Sequence, residues 1–423
     1  MGSSTASRPV AITGIGIITS LGRGRAENWA RLSAGRSGIH RLTRFPTEGL
    51  RTTIGGSVDF ISLDPFSAPA LSHAMARDAA IEALAQAGLG EARSGQRDFP
   101  GELFLAAPPV EHEWPQRFGL AHKHPGGASS YGDLLEAAAQ DSGALHHDFL
   151  FGTIGERLAD EFGTKGTPIT LSTACASGAT AIQLGVEAIR RGQTKAALSI
   201  GTDGSIHAES LIRFSLLSAL STANEVPEQA AKPFSKNRDG FVMAEGAAAL
   251  VLEDAEHARA RGATIIAYVY GCGEAADTFH RTRSHPSGDS IVAAISAAIA
   301  DAGLSPEDID YINAHGTGTP ENDKMECLGV QRVFGARSEK LPISSNKSMI
   351  GHTLTAAGAV EAAFSVMTLQ NQLLPPTINY TADPTLPLDV VPLEARKAEV
   401  EFVLSNSFGF GGQNVSLVIG AAA

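Results

Sequence analysis

The sequence predicts an α/β fold made of two similar halves. Aliphatic and β-branched segments of strand length alternate with alanine-rich segments of helical period. The helical segment that ends at 79–89 recurs in nearly the same form at 293–304. A second pair of segments, 173–181 and 353–361, opens helices on small residues in both places. Two such halves indicate a duplicated α/β architecture, and their length excludes a solenoid repeat.

The length and composition agree with this fold class. A chain of 423 residues has room for one large two-lobed unit or for two domains with an ample core. A hydrophobic content of 43%, with 45 glycines, is typical of a tightly packed α/β enzyme and argues against a disordered or fibrous chain.

Charge, cysteine count and hydropathy exclude several classes of function. The formal net charge is −12 and the chain has no lysine- or arginine-rich run, so nucleic acid is not an expected partner. Cys175, Cys272 and Cys327 are too few and too scattered for a disulfide framework or a zinc site. The N-terminus lacks an apolar signal region, and no stretch of about twenty apolar residues occurs. We therefore expect a cytoplasmic protein with no membrane partner.

The N-terminal half begins with a strand at 10–22 that carries Gly-x-Gly spacings. Such spacings occur in dinucleotide-binding loops, but neither the downstream acidic residue nor a clean βαβ unit is evident, so we do not expect that function. The segments that follow predict a short helix at 28–34, a mixed region at 40–65 with a strand–turn signal, a helix at 73–88 and a strand at 102–107.

The segment 108–150 is the least regular part of the sequence and predicts a surface insertion or cap. It contains Pro108-Pro109, a Gly-Gly pair and a concentration of histidines. His122 and His124 could share a metal ion, but no carboxylate or cysteine stands at a convincing ligand spacing, so no metal is expected there.

Cys175 lies in the most informative stretch, Leu-Ser-Thr-Ala-Cys-Ala-Ser-Gly at 171–178. A β-prone run at 168–173 leads into it and a helix is predicted at 176–191, so the cysteine stands on a strand-to-helix turn. The free N–H groups and the positive dipole of a helix N-terminus favour a thiolate, which makes Cys175 a candidate nucleophile. The alternative that the residue alone leaves open is a packed core cysteine.

The alternation of strands and helices continues beyond this helix. A turn-rich loop at 233–247 contains Arg238-Asp239-Gly240, which can be a salt-bridged turn and nothing more. Around and beyond this loop the sequence predicts strands at 195–202, 248–253, 264–271 and 309–314 and helices at 256–262 and 293–304.

Three motifs in the C-terminal half lie at strand ends, where α/β folds place their sites. The first, Asn-Ala-His-Gly-Thr-Gly-Thr-Pro, occupies 313–320. The second, Ser-Ser-Asn-Lys-Ser-Met-Ile-Gly-His at 344–352, sets a lysine and a histidine five residues apart across a turn that enters a helix. The third, at 405–414, is a Gly/Phe loop between two strands. Each alone could be structural, but together with Cys175 they predict one site.

These residue types favour acyl transfer coupled to carbon–carbon bond formation. One cysteine with His315 and His352 resembles neither a metal site nor a Ser-His-Asp triad. Two imidazoles that donate through Nε2 into one pocket suit an oxygen that becomes negative, as in an enolate, while Cys175 stores the acyl group. Lys347 adds positive charge near the histidines or holds a carboxylate that orients one of them, for which Glu361 is the candidate.

In these contexts the Cys–His–His set resembles the β-ketoacyl-[acyl carrier protein] synthases, most closely the synthase II type of elongating condensing enzyme. The resemblance covers nearly the whole chain and rests on four motifs in order: Thr-Ala-Cys-Ala-Ser-Gly, Asn-Ala-His-Gly-Thr-Gly-Thr-Pro, Asn-Lys-Ser-Met-Ile-Gly-His and Asn-Ser-Phe-Gly-Phe-Gly-Gly. It implies a thiolase-like five-layered αβαβα fold with two pseudo-repeated halves, and a homodimer. The halves would be 1–260, with the cysteine and the cap at about 108–150, and 261–423, with the His, Lys and His motifs.

The resemblance implies decarboxylative Claisen condensation in fatty acid elongation, with acyl carrier protein as the partner. An acyl group would move from the carrier to Cys175, and malonyl carrier protein would lose CO₂ to give an enolate that attacks the thioester, forming 3-oxoacyl carrier protein. His315 and His352 would assist decarboxylation and stabilise the enolate oxygen, with Lys347 and Glu361 as the supporting pair. The phosphopantetheine arm of the carrier brings the substrate, so no metal, nucleotide or other cofactor is expected.

The same resemblance supplies the remaining site residues. The backbone N–H groups of Cys175 and Phe410 would form the oxyanion hole, and Phe410 would gate the acyl pocket. Thr317 and Thr319 would hydrogen-bond the phosphopantetheine arm. The substrate-binding residues that the resemblance implies are Thr317, Thr319, Phe408, Gly409 and Gly411.

Two departures from the family pattern concern specificity. Where the family has a Gly-rich segment with a residue that caps the acyl pocket, this chain reads Ala-Ala-Pro-Pro-Val-Glu-His-Glu-Trp at 106–114. The family's arginine before the Ala-Leu-Ser-Thr motif, used in docking the acidic carrier, is Ser218 here, with Arg213 five residues earlier. We hypothesise a dedicated carrier or an unusual chain length, for instance very-long-chain synthesis associated with lipid A.

Other functions fit the sequence less well. A thiolase would need a second cysteine in a C-terminal Cys-x-Gly motif, which 406–412 lacks, and the chalcone-synthase and synthase III relatives use asparagine where His352 stands. A non-catalytic, chain-length-determining partner of another condensing enzyme would be expected to have lost Cys175. A polyketide-type ketosynthase shares the motifs and stays open as an alternative.

Overall fold

The computed structural model describes residues 8–64, 66–89, 98–111, 113–123, 130–141 and 146–422. Within these ranges the strands are β1 Val10–Thr19, β2 Gly22–Arg23, β3 His40–Arg41, β4 Ile54–Gly55, β5 Glu102–Ala106, β6 Ile169–Leu171, β7 Ala196–Asp203, β8 Gly246–Glu253, β9 Ala267–Ala276, β10 Tyr311–Asn313, β11 Pro342–Ser344, β12 Leu373–Leu374, β13 Asp389–Val390, β14 Arg396–Lys397, β15 Phe402–Phe408 and β16 Gln413–Ala421. The α-helices are α1 Arg25–Ser33, α2 Ala68–Ala87, α3 Trp114–Lys123, α4 Tyr131–Asp141, α5 Thr153–Phe162, α6 Ser177–Arg190, α7 Ala208–Leu216, α8 Ala255–Ala260, α9 Asp289–Asp301, α10 Pro320–Phe334, α11 Lys347–Ile350 and α12 Ala357–Asn371. In the part of the chain that the structure describes, no helix has the length and apolar character needed to cross a membrane.

One large mixed sheet contains both halves of the chain, and each half contributes five main strands in the same order. The N-terminal strands run β6-β5-β7-β8-β1 and the C-terminal strands run β11-β10-β15-β16-β9. In each set the first two neighbouring pairs are parallel and the next two are antiparallel. β1 and β9 pair antiparallel at the centre and join the two sets. The predicted duplication is therefore confirmed strand by strand.

Helices cover the outer faces of the two sheet halves and also separate them. α6 and α12 pack together in the middle, where Ile182, Val186, Val360 and Phe364 belong to the central core. α2 packs on β1, β7 and β8, while α9 and α10 cover the outer face of the C-terminal strands. The order helix, sheet, helix pair, sheet, helix is the five-layered αβαβα arrangement that the resemblance implied.

Glycines in β1 and β9 let the outer helices pack directly on the sheet. A Cβ atom added to Gly14 or Gly16 would lie 2.0 or 1.9 Å from a backbone carbonyl oxygen of α2. A Cβ atom added to Gly271 or Gly273 would lie 2.1 Å from a carbonyl oxygen of α9. The Gly-x-Gly spacing of β1 therefore serves helix–strand packing, and the same device recurs in the second half.

The two central helices, α6 and α12, also approach each other closely. A Cβ atom on Gly178 would lie 2.5 Å from the backbone nitrogen of Ala359, and one on Gly358 would lie 2.4 Å from that of Ala179. We expect Gly178→Ala to lower the free energy of unfolding by about 1–3 kcal/mol, because the helices must separate. Chemical denaturation measures this, with Gly119→Ala in α3, where the added methyl meets no atom within 4 Å, as the control. Equal stability of the two variants would contradict the close contact.

Several predicted boundaries shift in the structure. α2 begins at Ala68, five residues earlier than predicted, because Ser67 caps its first turn and Pro69 is favourable there. The motif at 405–414 was predicted as a loop but is strand as far as Phe408, so the turn between β15 and β16 is short. The other predicted elements are present, with ends displaced by a few residues.

The segment 108–150, predicted as a surface insertion or cap, contains regular structure in its described residues. It holds α3, α4 and a 3-10 turn at His147–Phe149. Pro108-Pro109 precedes α3, and the Gly-Gly pair lies outside the described residues. His122 is exposed, and His124, the other histidine considered for a metal site, lies outside the described residues.

Candidate active site

Cys175 lies on the turn between β6 and the N-terminus of α6, as the sequence predicted. The preceding residue, Ala174, has a positive φ of 50°, a strained conformation for a residue with a side chain. Ser177 stabilises this turn: its hydroxyl donates to the Ala174 carbonyl oxygen (2.6 Å) and accepts from the N–H of Thr173 (2.7 Å). The Cys175 side chain is thereby held at a fixed position in the floor of a pocket, with 8% of the residue exposed.

Burial, rather than the helix terminus, dominates the acidity of this thiol. Desolvation raises the pKa of Cys175 to about 11, although the backbone N–H of Phe410 and the ammonium group of Lys347 act to lower it. Burial thus opposes the thiolate that the helix N-terminus is expected to favour, because the sulfur is deeply enclosed. The thiol needs a base to take its proton before it can attack.

His352 is placed to be that base, since its Nε2 lies 3.0 Å from the Cys175 Sγ. Two backbone hydrogen bonds fix it: its N–H donates to the Val242 oxygen (2.7 Å), and its oxygen accepts from the Ala244 N–H (2.9 Å). Burial, with Lys347 nearby, lowers the pKa of the ring well below its usual value. The imidazole is therefore neutral, and one of its nitrogens can accept a proton.

His315 follows β10 and faces His352, with the two ring centroids 5.2 Å apart. Lys347 donates to the His315 carbonyl oxygen (2.6 Å), and its Nζ lies 3.4 Å from the ring Nδ1. Because an ammonium group only donates, Nδ1 accepts and the ring proton belongs on Nε2. Burial, followed by the charge of Lys347, lowers the pKa of His315 well below its usual value. The ring is thus a neutral Nε2 donor, as the proposed enolate chemistry needs.

Lys347 and Glu361 form a buried ion pair behind the histidines, with 2% and 1% of their side chains exposed. Lys347 therefore contacts His315 and the carboxylate of Glu361 together. Burial raises the pKa of Glu361 to about 7, and Lys347 opposes that rise. Asn313 at the end of β10 donates to the backbone oxygen of Glu361 (2.9 Å), which ties this strand to α12.

Two carboxylates of α10 hold the loop that carries His315, and the sequence analysis missed both. Glu326 accepts hydrogen bonds from the N–H groups of His315 (2.9 Å) and Gly316 (2.7 Å). Asp323 accepts from the N–H of Gly318 (3.2 Å). The sequence does contain a signal for these contacts. The two acids are three residues apart in the first turns of the helix that follows the motif at 313–320. Side chains there point back toward the helix N-terminus and therefore toward that loop.

A cavity of about 470 Å³ leads from the surface to these groups. Cys175, His315 and His352 line its inner end. Its walls contain all the substrate-binding and gating residues that the resemblance implied, namely Thr317, Thr319, Phe408, Gly409, Phe410 and Gly411. The hydroxyl oxygens of Thr317 and Thr319 lie 2.9 Å apart, so both polar groups face one region of the wall.

Basic side chains line the outer part of this cavity. They are His280, Arg283 and Lys324, with Glu321 as the acidic residue among them. Arg283 and Lys324 are exposed, and neither takes part in an ion pair found among the described residues. A chain with a net charge of −12 thus presents positive charge at the entrance of its pocket.

The segment 106–114, where this chain departs from the family pattern, is bound to α7 by an ion pair and a hydrogen bond. Glu111 forms a bidentate ion pair with Arg213, and Glu209 accepts a hydrogen bond from the N–H of Trp114 (2.9 Å). Arg213 is therefore engaged within the fold. Ser218, at the position of the family's docking arginine, lines the pocket and supplies no charge.

Cys175, His315 and His352, which the sequence analysis grouped in one site but did not interpret as a metal site, have side-chain types that can bind a metal ion. The Cys175 sulfur and one ring nitrogen each of His315 and His352 lie within 4.8 Å of one another, and all three residues are buried. The spacing along the chain does not show how short these distances are, because the three residues come from different halves of the fold.

Both halves of the chain match known sequence families. The family model for the beta-ketoacyl synthase N-terminal domain matches residues 7–258. The model for the beta-ketoacyl synthase C-terminal domain matches residues 266–381. The two matches together cover most of the chain.

Known proteins align with this chain over nearly their whole length. The 3-oxoacyl-[acyl-carrier-protein] synthase 2 of Coxiella burnetii is 36% identical, over 97% of this chain and 98% of that protein. The putative polyketide beta-ketoacyl synthase 1 of Streptomyces cyaneus is also 36% identical, over 98% and 99%. A solved structure of a type II PKS acyl-carrier protein in complex with its ketosynthase bound to the hexaketide has a TM-score of 0.88 and 30% identity, covering 98% of this chain and 100% of that one.

Proposed function

This chain belongs to the β-ketoacyl synthase family, and from that premise we propose how its pocket carries out the condensation. The enzyme is an acyltransferase that joins an acyl group to a malonyl unit on acyl carrier protein, giving 3-oxoacyl carrier protein and CO₂. The phosphopantetheine arm of the carrier delivers the substrates, and no free cofactor takes part. One observation carries the assignment of residues: the 3.0 Å contact between Cys175 Sγ and His352 Nε2, in a pocket that also presents His315.

In the first half-reaction Cys175 takes the acyl group. His352 accepts the thiol proton, and the sulfur attacks the carbonyl carbon of the acyl thioester on the carrier. The oxygen of the tetrahedral intermediate becomes negative and is stabilised by the backbone N–H groups of Cys175 and Phe410. The carbon–sulfur bond to the carrier then breaks, and the departing pantetheine sulfur takes a proton from the solvent, which leaves an acyl-Cys175 thioester and the thiol proton on Nε2 of His352.

In the second half-reaction the two histidines stabilise an enolate. The thioester oxygen of malonyl carrier protein accepts hydrogen bonds from Nε2 of His315 and of His352. As CO₂ leaves, the electron pair of the broken carbon–carbon bond moves into the enolate, whose carbon attacks the acyl-Cys175 carbonyl carbon. The Cys175 sulfur departs and recovers its proton. Lys347, held by Glu361, keeps the His315 proton on Nε2, where it is needed.

We place the docking site of the carrier at the basic entrance formed by His280, Arg283 and Lys324. The carrier brings a phosphate group to the entrance of the channel and is acidic in this family, so its charge complements these side chains. This entrance supplies the positive charge that Ser218 does not. We assign the enzyme to the cytoplasm, the compartment in which carrier-bound malonyl units would be supplied.

Arg283→Glu and Lys324→Glu test this docking site. Each is expected to raise the KM for the loaded carrier by about tenfold and to flatten its dependence on salt, because rim charges act chiefly on encounter. The kcat should change far less, since neither side chain reaches the reacting atoms. Steady-state kinetics over a range of salt concentrations measures both. Lys340→Glu, the same charge change before β11 and away from the pocket, is the control. An equal effect of that substitution would contradict the proposed docking site.

We further propose a homodimer that forms along β6. This strand is at the end of the sheet, and Ile169 on it is 44% exposed. Leu150 and Phe151, which lead into α5, are also exposed apolar residues. An unpaired strand edge next to apolar side chains favours pairing with a second copy by two-fold symmetry.

Light scattering after size exclusion is expected to give twice the mass of one chain. Ile169→Lys should shift the protein toward the monomer, because a buried lysine would be left unpaired at the pairing edge. Leu393→Lys is the matched control, since Leu393 is 56% exposed but lies outside this surface. A monomer for the unsubstituted protein, or equal dissociation of both variants, would exclude the β6 interface.

Intact-protein mass tests the condensing function and its substrate. The enzyme is incubated with carriers that hold acyl groups of different lengths, and the best-loaded chain reports the depth of the pocket. Malonyl carrier protein is then added: one condensation for each acyl group supports fatty acid elongation. Repeated condensation without reduction supports the polyketide-type alternative, which the equally similar Streptomyces relative favours. No adduct with any chain would favour a non-catalytic partner subunit.

A further inference from the structure

The inner end of the pocket has the ligand set of a soft-metal site. The Cys175 sulfur and one ring nitrogen from each of His315 and His352 lie within 4.8 Å of one another. Sulfur and imidazole nitrogen are the ligands that Zn²⁺ and related divalent ions prefer in proteins. Three protein ligands with one open position form the usual arrangement of a zinc site that is accessible from a pocket.

The distances suit a metal ion after a small adjustment. In a tetrahedral zinc site, metal–ligand bonds of about 2.0–2.3 Å place the ligand atoms roughly 3.3–3.6 Å apart. Cys175 Sγ and His352 Nε2 are now 3.0 Å apart and would separate slightly, while the widest spacing in the cluster would shorten. The cavity reaches this point from the surface, so an ion can enter and a water molecule can complete its coordination.

We propose that Cys175, His315 and His352 bind a soft divalent metal ion, with Zn²⁺ as the representative, and that this ion reversibly inhibits the enzyme. On binding, the sulfur–hydrogen bond breaks, its electron pair forms the sulfur–metal bond, and the proton leaves to the solvent. The metal-bound sulfur can no longer attack a thioester. The inhibition rests on the condensing function proposed above, whereas the binding itself rests only on the geometry.

Lys347 limits the strength of this site. Its Nζ lies 3.4 Å from the His315 Nδ1, and coordination through Nε2 requires the ring proton to move to Nδ1. The ammonium group then repels both that N–H and the metal ion. Removing this charge should therefore tighten metal binding by about tenfold or more while it impairs condensation. A purely catalytic cluster gives no reason for these opposite changes.

Cobalt substitution tests the site without relying on activity. Co²⁺ is added to the metal-free, full-length protein, and absorption is recorded. We expect one ion per chain, a thiolate-to-cobalt charge-transfer band in the near ultraviolet, strong visible bands of a four-coordinate ion, and displacement of all of these by Zn²⁺. Cys175→Ala should lose the charge-transfer band, whereas Cys272→Ala and Cys327→Ala should keep it. Absence of the band, or its persistence in Cys175→Ala, would overturn the proposal.

A second measurement connects binding to inhibition. Zn²⁺ at the concentration that displaces cobalt should block acylation of Cys175 by acyl carrier protein, and a chelator should restore it. Unchanged acylation with the ion bound would overturn the inhibitory function. A cobalt band in a protein that no carrier can acylate would instead leave the metal site intact and remove the condensing function. Lys347→Met/Glu361→Gln, which removes both buried charges, should bind Co²⁺ more tightly than the unsubstituted protein.

Discussion

Cys175→Ala is expected to abolish acyl loading and to lower condensation by at least about 10⁴-fold, because no other nucleophile replaces the sulfur. Intact-protein mass should show the acyl adduct on the unsubstituted enzyme alone. Decarboxylation of malonyl carrier protein should persist in the variant, since His315 and His352 still present their Nε2 groups to the pocket. This division of effects separates the nucleophile from the groups that stabilise the enolate.

Cys327→Ala is the matched control for this substitution. Cys327 is also buried, but it lies in α10 and is not part of the pocket lining. The control should keep the adduct and the condensation rate. An adduct of the same mass in Cys175→Ala would mean that another residue accepts the acyl group. Loss of decarboxylation together with acylation would mean that Cys175 also supports the enolate step.

The fold was predictable from the sequence because its duplication is visible in local patterns. The small residues repeated at 79–89 and 293–304 are those that α2 and α9 need in order to pack on glycines of β1 and β9. Likewise, the small residues around Gly178 and Gly358 allow α6 and α12 to approach each other. Close packing of this kind requires small residues. Its sequence pattern is visible because the packed elements are near each other in the sequence or occupy matching positions in the two halves.

Properties of the site that depend on how deeply a side chain is buried, or on which distant residues surround it, were not predictable from the sequence. The burial that raises the pKa of Cys175 could not be predicted, because the sequence does not show how deeply a residue will be enclosed. The hydrogen bonds that Glu326 accepts from the N–H groups of His315 and Gly316 were not predicted, because a carboxylate on a helix is usually solvated. The short distances between Cys175, His315 and His352 were not predictable either. The three residues come from both halves of the chain, and their spacing in the sequence does not show how closely the halves approach.

Lys347→Met is expected to reduce condensation by about 10²–10³-fold, because Nδ1 of His315 loses the donor that keeps its proton on Nε2. Acyl loading should fall much less, since the Cys175–His352 contact does not include Lys347. The substitution also leaves Glu361 buried without its cation. Breaking a buried ion pair in this way costs about 3–5 kcal/mol of the free energy of unfolding while the carboxylate is charged.

This loss of stability should depend on pH. The pKa of Glu361 in the fold, about 7, is above its ordinary value of 4.5, so the fold favours the neutral acid. Below pH 4.5 the group is protonated in both states and carries no penalty, and the penalty grows as pH rises through the folded pKa. Without Lys347 that pKa rises further. The thermal midpoint of Lys347→Met should therefore fall more steeply between about pH 5 and 8 than that of the unsubstituted enzyme.

The double variant Lys347→Met/Glu361→Gln separates the two functions of the lysine. It removes both buried charges, so the thermal midpoint and its pH profile should return close to those of the unsubstituted enzyme. Condensation should stay low, because no donor holds the Nδ1 of His315. If condensation recovered along with stability, the lysine would serve only to neutralise Glu361, and the orientation of the His315 proton would have another cause. Stability without condensation would instead place the functional importance of the buried pair in its contact with the histidine.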